Sequence, residues 1–130
     1  MELNKINSLV ELFFKKYEEK DSEQNQPLLK WLKNEKKNVL TWKQAQNNIL
    51  ILSQYLRKIL FKGDRCVLLS ENRPEWFIAD IAIMNAGGVT VPLFTTYSEN
   101  DYKYIINDCE PKVCIVSNFE QFKKLSLIHI

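Results

Sequence analysis

From Gly63 to Tyr97 the chain reads GDRCVLLSENRPEWFIADIAIMNAGGVTVPLFTTY, and its apolar positions come in runs rather than stripes. Arg65–Ser70 is short and apolar, as in a strand buried on both faces. Glu71–Pro74 is a polar turn. Pro74 has a fixed φ and no N–H, which suits the first position of a helix. Trp76–Ala86 is an apolar helical run. Gly87 and Gly88 stop it and supply the positive φ that a helix end often needs. Val89–Leu93 is a second strand. A parallel pair needs such a crossover, and the crossover is nearly always right-handed. The unit then repeats once. Thr95–Tyr97 reads as a loop. Ser98 is an N-cap, with Glu99 and Asp101 favourable at the positive end of the helix dipole. That helix runs to Asp108, Pro111 follows, and Lys112–Ser117 is a third strand. Phe119–Leu125 starts another helix.

The first half of the chain shows stripes instead. Leu3, Ile6, Val10, Phe13 and Tyr17 recur at the spacing of an amphipathic helix, and Leu9 and Phe14 widen the stripe. The charges from Lys15 to Lys20 read as a solvated helix end. Asp21–Gln26 is a polar loop. Pro27–Lys33 and Asn38–Trp42 flank Asn34–Lys37, which reads as a weak β-hairpin, with PLLKWLK also compatible with a helical turn. Thr41-Trp42-Lys43-Gln44 fits a capping box. Trp42, Ala45, Ile49, Leu52, Leu56 and Ile59 continue it as a helix, which Lys62-Gly63-Asp64 ends. The expected fold class is α/β: a βαβαβ parallel-sheet core preceded by two helices and a weak β-hairpin.

With 130 residues, one domain or one piece of a larger one is expected. The 18 basic and 16 acidic residues nearly balance, which argues against a nucleic-acid partner. The N-terminus lacks the continuous apolar stretch of a secretory signal, and no run is long enough for a membrane span; peripheral membrane contact stays open. The odd cysteine count (Cys66, Cys109, Cys114) suggests a reducing compartment, so a cytoplasmic location is expected. Cys109 and Cys114 have no second ligand pair, and the only histidine is His129, so the thiols read as buried and inert and no metal site is expected.

Open α/β sheets bind ligands beyond the carboxyl ends of their strands. After the first strand comes Ser70-Glu71-Asn72-Arg73, without the glycines that let a pyrophosphate approach a helix N-terminus. Glu71 and Arg73 could contact a ligand there; the plainer reading is a turn-stabilising ion pair or simple exposure. Thr95, Thr96 and Tyr97 could line a pocket; the plainer reading is a polar loop that starts a helix. Asp80 has no second acid or histidine at useful spacing, so it reads as solvent-facing or paired. Trp31, Trp42 and Trp76 sit in apolar patterns and read as core. No catalytic, cofactor-binding or metal-binding residue is assigned.

Four pieces in order resemble the N-terminal region of AMP-forming acyl-CoA synthetases, members of the adenylate-forming superfamily. They are Gly63-Asp64-Arg65; Ser70-Glu71-Asn72-Arg73-Pro74-Glu75-Trp76; Ala86-Gly87-Gly88-Val89 leading to Val91-Pro92-Leu93; and Ser98–Asp108 followed by Pro111-Lys112-Val113. With Leu40-Thr41-Trp42 and its helix, the likeness covers Leu3 to Ser117, and its wording is most similar to the long-chain fatty acid branch. The resemblance implies a two-step ligase. ATP and a fatty acid give an acyl-adenylate and pyrophosphate, and the thiol of coenzyme A then displaces AMP, with Mg2+ shielding the phosphates.

The family's phosphate loop, nucleotide contacts and catalytic lysine all lie further along than residue 130. Residues 1–130 are therefore expected to be the incomplete N-terminal portion of a larger adenylate-forming domain. They would act as a scaffold, be inactive alone, and hold no ATP, Mg2+ or coenzyme A by themselves. The ending LSLIHI does not look like family continuation, which a truncated piece or an incomplete gene would explain. The sheet would then stop at an edge that normally pairs onward. Two alternatives stand: another adenylate-forming ligase (aryl, short-chain or amino acid), and a non-catalytic small α/β binding module. Oligomeric state is left open.

Overall fold

The structure, a computed structural model, describes residues 5–127. Helix α1 spans Leu9–Lys20. It begins later than the apolar stripe suggests: Leu3 lies outside the described residues, and Ile6 precedes the helix. The cause is local. The Ser8 hydroxyl accepts from the Glu11 N–H at 3.1 Å, and the Glu11 carboxylate accepts from the Asn7 N–H at 2.9 Å, so the first turn is closed at this point. Leu9, expected to widen the stripe, is exposed, while Phe13 is buried.

After a 3-10 turn at Asp21–Glu23, strands β1 (Pro27–Lys33) and β2 (Lys36–Thr41) pair antiparallel. The hairpin, not the helical turn, is the observed form. Its turn is only Asn34-Glu35, both at positive φ (50° and 63°), the geometry that matches strand twist. Helix α2 (Trp42–Leu56) opens on the full capping box: the Thr41 hydroxyl accepts from the Gln44 N–H at 3.2 Å, and the Gln44 side chain accepts from the Thr41 N–H at 3.0 Å. Ile59 falls outside this helix and is exposed. The Ile59 N–H turns back to the Leu56 carbonyl, a tighter turn that shifts the apolar phase and sends Leu60 inward instead.

The expected βαβαβ unit follows: β3 (Arg65–Leu69), α3 (Pro74–Asn85), β4 (Val89–Leu93), α4 (Glu99–Cys109) and β5 (Val113–Val116), then α5 (Phe119–Ser126). The three strands form one parallel sheet in the order β4-β3-β5. Strand β3 is central, and its side chains alternate between two cores. On one face Cys66 packs with buried residues of α1, α2 and α3, among them Phe13, Ile49, Leu56 and Ile83. On the other, Val67 and Leu69 pack with Leu93 of β4 and Tyr102 and Ile106 of α4. Helix α3 is apolar all round because it lies between α1, α2 and the sheet. The Ser53 hydroxyl, buried on α2, donates to the Ile49 carbonyl at 2.6 Å and accepts from the Asn85 amide of α3 at 3.0 Å.

The glycines brace the amino end of the sheet. Gly63 and Gly87 have φ near +87° (86° and 88°), and the Gly63 N–H donates to the Gly87 carbonyl at 2.8 Å. Gly88 does not have positive φ, contrary to expectation. It is needed for close approach: a Cβ there would meet Ile83 Cγ2 at 3.1 Å and Leu60 Cδ1 at 3.2 Å.

Candidate functional site

In the strand order β4-β3-β5 the β3–β4 connection runs to one side of β3, and the β4–β5 connection returns across it to the other side. The crevice beyond the carboxyl ends of β3 and β5 is thus a topological switch point, where open α/β sheets place ligands. Two loops meet there: Ser70–Arg73 after β3, and Ser117-Asn118 after β5. What joins them is Glu71. Its carboxylate accepts from the Ser117 hydroxyl at 2.6 Å, the Gln121 side-chain amide at 2.9 Å and the Asn118 side-chain amide at 3.3 Å. These donors, the Ser117 hydroxyl first, hold its carboxyl below the ordinary glutamate range. Asn118 also caps α5, its side-chain oxygen accepting from the Gln121 N–H at 3.0 Å. Gln121 is 3% exposed, and its side-chain oxygen has no hydrogen-bond partner among the described residues.

The ion pair at this turn is not Glu71 with Arg73. Arg73 instead forks onto Glu75, with Nε at 2.8 Å and Nη2 at 3.1 Å. That pair keeps the Glu75 carboxyl below its usual range through the arginine hydrogen bonds. Arg73, Glu75 and Trp76 stand between two hollows. A small one of about 150 Å³ lies against Ser70, Ser117 and Ile115 at the strand ends. A larger cleft of about 720 Å³ opens between the hairpin and the start of α3, lined by Trp31, Phe77, Lys30 and Lys33 among others. Trp31 and Trp76 are therefore cleft walls, half-buried, rather than the core residues their patterns suggest. Trp42 is packed as expected, stacked on Phe13 with ring centroids 5.6 Å apart.

The loop after β4 is tied down too. The Thr95 carbonyl accepts from Lys124 Nζ at 2.8 Å, and Tyr97 sits edge-on to Phe94 and beside Tyr102. Thr96 is exposed, and Asp80 is half-buried on α3. Residues Ser117, Asn118, Gln121 and Lys124 escaped sequence reasoning. They reach the other loops across 29 to 50 residues of chain, and no local pattern marks them.

The three cysteines are free and differ in setting. Cys66 is buried, and desolvation pushes its thiol up to about 12. Cys109 is half-buried and Cys114 exposed, so the fully buried reading holds for Cys66 alone, although partial burial raises the Cys109 and Cys114 thiols too. No group of three or more His, Cys, Asp or Glu that could hold a metal occurs among the described residues; His129 lies outside them. No helix among the described residues is long and apolar enough to cross a membrane.

The model of the family described as AMP-binding enzyme matches residues 18–129, so the family likeness runs on past Ser117 and through Leu125–His129, contrary to the expectation that the LSLIHI ending departs from the family. The chain is similar to a long-chain-fatty-acid–CoA ligase of Gallus gallus, 34% identical over 86 residues, covering 66% of this chain and 10% of that protein. It is similar to fatty acyl-CoA synthetase A of Dictyostelium discoideum, 37% identical over 91 residues, covering 68% of this chain and 13% of that protein. The fold matches the crystal structure of the fatty acid AMP ligase of Legionella pneumophila with a TM-score of 0.73 at 20% identity, over 93% of this chain and 21% of that one. The chain thus spans about a tenth of the length of the curated relatives it matches.

Proposed function

The chain belongs to the AMP-binding enzyme family, and from that premise we propose that it is the N-terminal portion of a long-chain fatty acid–CoA ligase. The longer enzyme would join a fatty acid to coenzyme A through an acyl-adenylate at the expense of ATP. The observation that carries the fatty-acid substrate is the pair of relatives at 34% and 37% identity, both named for fatty acyl substrates.

On this reading the nucleotide is held by parts of the longer chain, and two features of the described residues support that. The three glycines sit at the amino ends of β3 and β4, the wrong end of the sheet for a phosphate cradle. At the carboxyl ends, the first turn of α3 is filled by the Arg73–Glu75 pair, and the crevice is spanned by Glu71. ATP, Mg2+ and coenzyme A belong, on this reading, to parts of the longer chain. The role of residues 1–130 is a scaffold whose strand ends form one wall of the ligand crevice. A cytoplasmic location fits this reading.

The test is fatty-acid-dependent exchange of pyrophosphate into ATP, measured on the polypeptide that includes the reading frame downstream of Ile130. Exchange with long-chain fatty acids, and none from the 130-residue chain alone, is expected. Exchange driven only by aryl, short-chain or amino acids would move the protein to another branch. No exchange with any carboxylate would sink the ligase reading.

A further inference from the structure

The β1–β2 hairpin carries four lysines against one acid: Lys30, Lys33, Lys36 and Lys37, with Glu35 in the turn. All four lysines are exposed, and none makes an ion pair among the described residues. Lys33 feels the Glu75 carboxylate from a distance, but Arg73 already forks that group. The register adds a conflict at the tip. Lys33 lies directly opposite Lys36, and like charges facing each other across a ladder are destabilising. A two-stranded hairpin is marginal on its own and tolerates such a pair poorly. A local conflict that nothing in the fold relieves is the mark of a functional position.

The same hairpin exposes aliphatic side chains. In the ladder Lys30 faces Val39 and Leu32 faces Lys37, so these four side chains share one face in a checkerboard. Leu32 is 71% exposed and Val39 45%. Two aliphatic side chains are too few for the packed centre of a protein–protein interface, which aromatic residues and arginine anchor. A lipid surface has no such requirement. It accepts single apolar side chains and attracts the positive charge beside them. The cations here are also all lysine. A lysine is a point charge without the planar fork that reads one carboxylate or phosphate, and that suits a diffuse anionic surface.

We propose that this face of the hairpin docks on an anionic lipid bilayer, with Leu32 and Val39 entering the headgroup layer and the four lysines against the acidic headgroups. The contact is peripheral, since no helix among the described residues is long and apolar enough to cross a membrane. A lysine near such a surface contributes about 1 kcal/mol, or about fivefold in binding. The surface also supplies the counter-charge that the Lys33–Lys36 pair lacks within the fold. The inference is independent of the ligase reading, because it needs the hairpin and no part of the nucleotide site.

The experiment is co-sedimentation with vesicles of phosphatidylcholine containing about 30% phosphatidylserine. It uses the polypeptide encoded by the whole reading frame and, beside it, the 130-residue chain. Binding is expected to the anionic vesicles and not to phosphatidylcholine alone, and it should fall as NaCl rises from about 0.1 M to about 0.5 M. Lys36→Gln/Lys37→Gln should weaken binding roughly 25-fold, while the melting temperature holds or rises because the facing lysine pair is gone. Leu32→Ser should weaken binding about tenfold in a folded protein. The same charge change just beyond α2, Lys58→Gln/Lys62→Gln, should have a much smaller effect. Absence of vesicle binding by the longer polypeptide would overturn the inference. So would an equal loss in the Lys58/Lys62 variant, or a melting temperature several degrees lower in the Lys36/Lys37 variant. Binding to duplex DNA as tight as to vesicles, and indifferent to Leu32→Ser, would assign the lysines to a soluble polyanion and overturn it too.

Discussion

Replacing Glu71 by alanine should loosen α5 more than the surface position of this residue suggests. The carboxylate receives three donors from the β5–α5 corner. Two of them, from Ser117 and Asn118, are reached by water and cost little when lost. The third is the amide of Gln121, which is 3% exposed and whose oxygen already lacks a partner among the described residues. Without Glu71 this buried amide has no acceptor, and an unsatisfied buried polar group costs about 1–3 kcal/mol. At about 2 kcal/mol, and roughly 4 °C per kcal/mol for a chain of this size, the melting temperature should fall by about 8 °C. The assay is thermal unfolding followed by circular dichroism, with exchange of the α5 amides as the local readout. Gln121→Leu in the Glu71→Ala background should restore much of the loss, because removing both polar partners costs less than stranding one. The pH dependence has a definite sign. The folded carboxyl titrates below the ordinary glutamate value of 4.5, so its contribution is full above that value and disappears as pH falls through the folded pKa. Glu71→Ala should remove that acid-side loss. A melting temperature within a degree of wild type, with α5 exchange unchanged, would refute the reasoning.

Two further predictions concern the hairpin and the thiols. Glu35 holds φ at 63° in the Asn34-Glu35 turn, so Glu35→Gly should raise stability by about 0.5–1 kcal/mol in urea unfolding; a loss would show that the Glu35 side chain matters more than its backbone. With 5,5′-dithiobis(2-nitrobenzoate), Cys114 should react first because it is the exposed thiol, though more slowly than a free cysteine since burial raises its thiol, and Cys66, raised to about 12, should react only at the rate of unfolding; labelling of Cys66 in the native chain would contradict its burial.

Much of the core was legible because its signals are local. Cys66–Leu69 is an apolar run since both faces of β3 are covered, and Thr41/Gln44 and Ser98 announce their helices through hydrogen bonds within three residues. The misplaced boundaries are also local contests. The Ser8 cap outweighed an apolar stripe reaching back to Leu3, and a tightened turn after Leu56 replaced Ile59 with Leu60. The hairpin stayed ambiguous because PLLKWLK satisfies either period until β2 supplies its partner. The crevice was least legible. Glu71 could be seen near Arg73 in sequence, but its donors come from β5 and α5, and Arg73 turned to Glu75. Trp31 and Trp76 sit in apolar surroundings yet face a cleft, because the hairpin stands off from α3.

The central place of β3 also sets an order of events at the ribosome. Strand β4 emerges next and can zip to β3 from Arg65–Val89 to Leu69–Leu93. The other edge of β3 waits for Val113–Val116, made last among the strands. During that interval Val67 and Leu69 have only half their partners, since Tyr102 and Ile106 are still being added. A nascent chain paused between Leu93 and Val113 thus carries an apolar face and an open strand edge together, the combination that makes folding intermediates prone to aggregate. A slow codon in that interval would lower the yield of folded protein without changing a single residue.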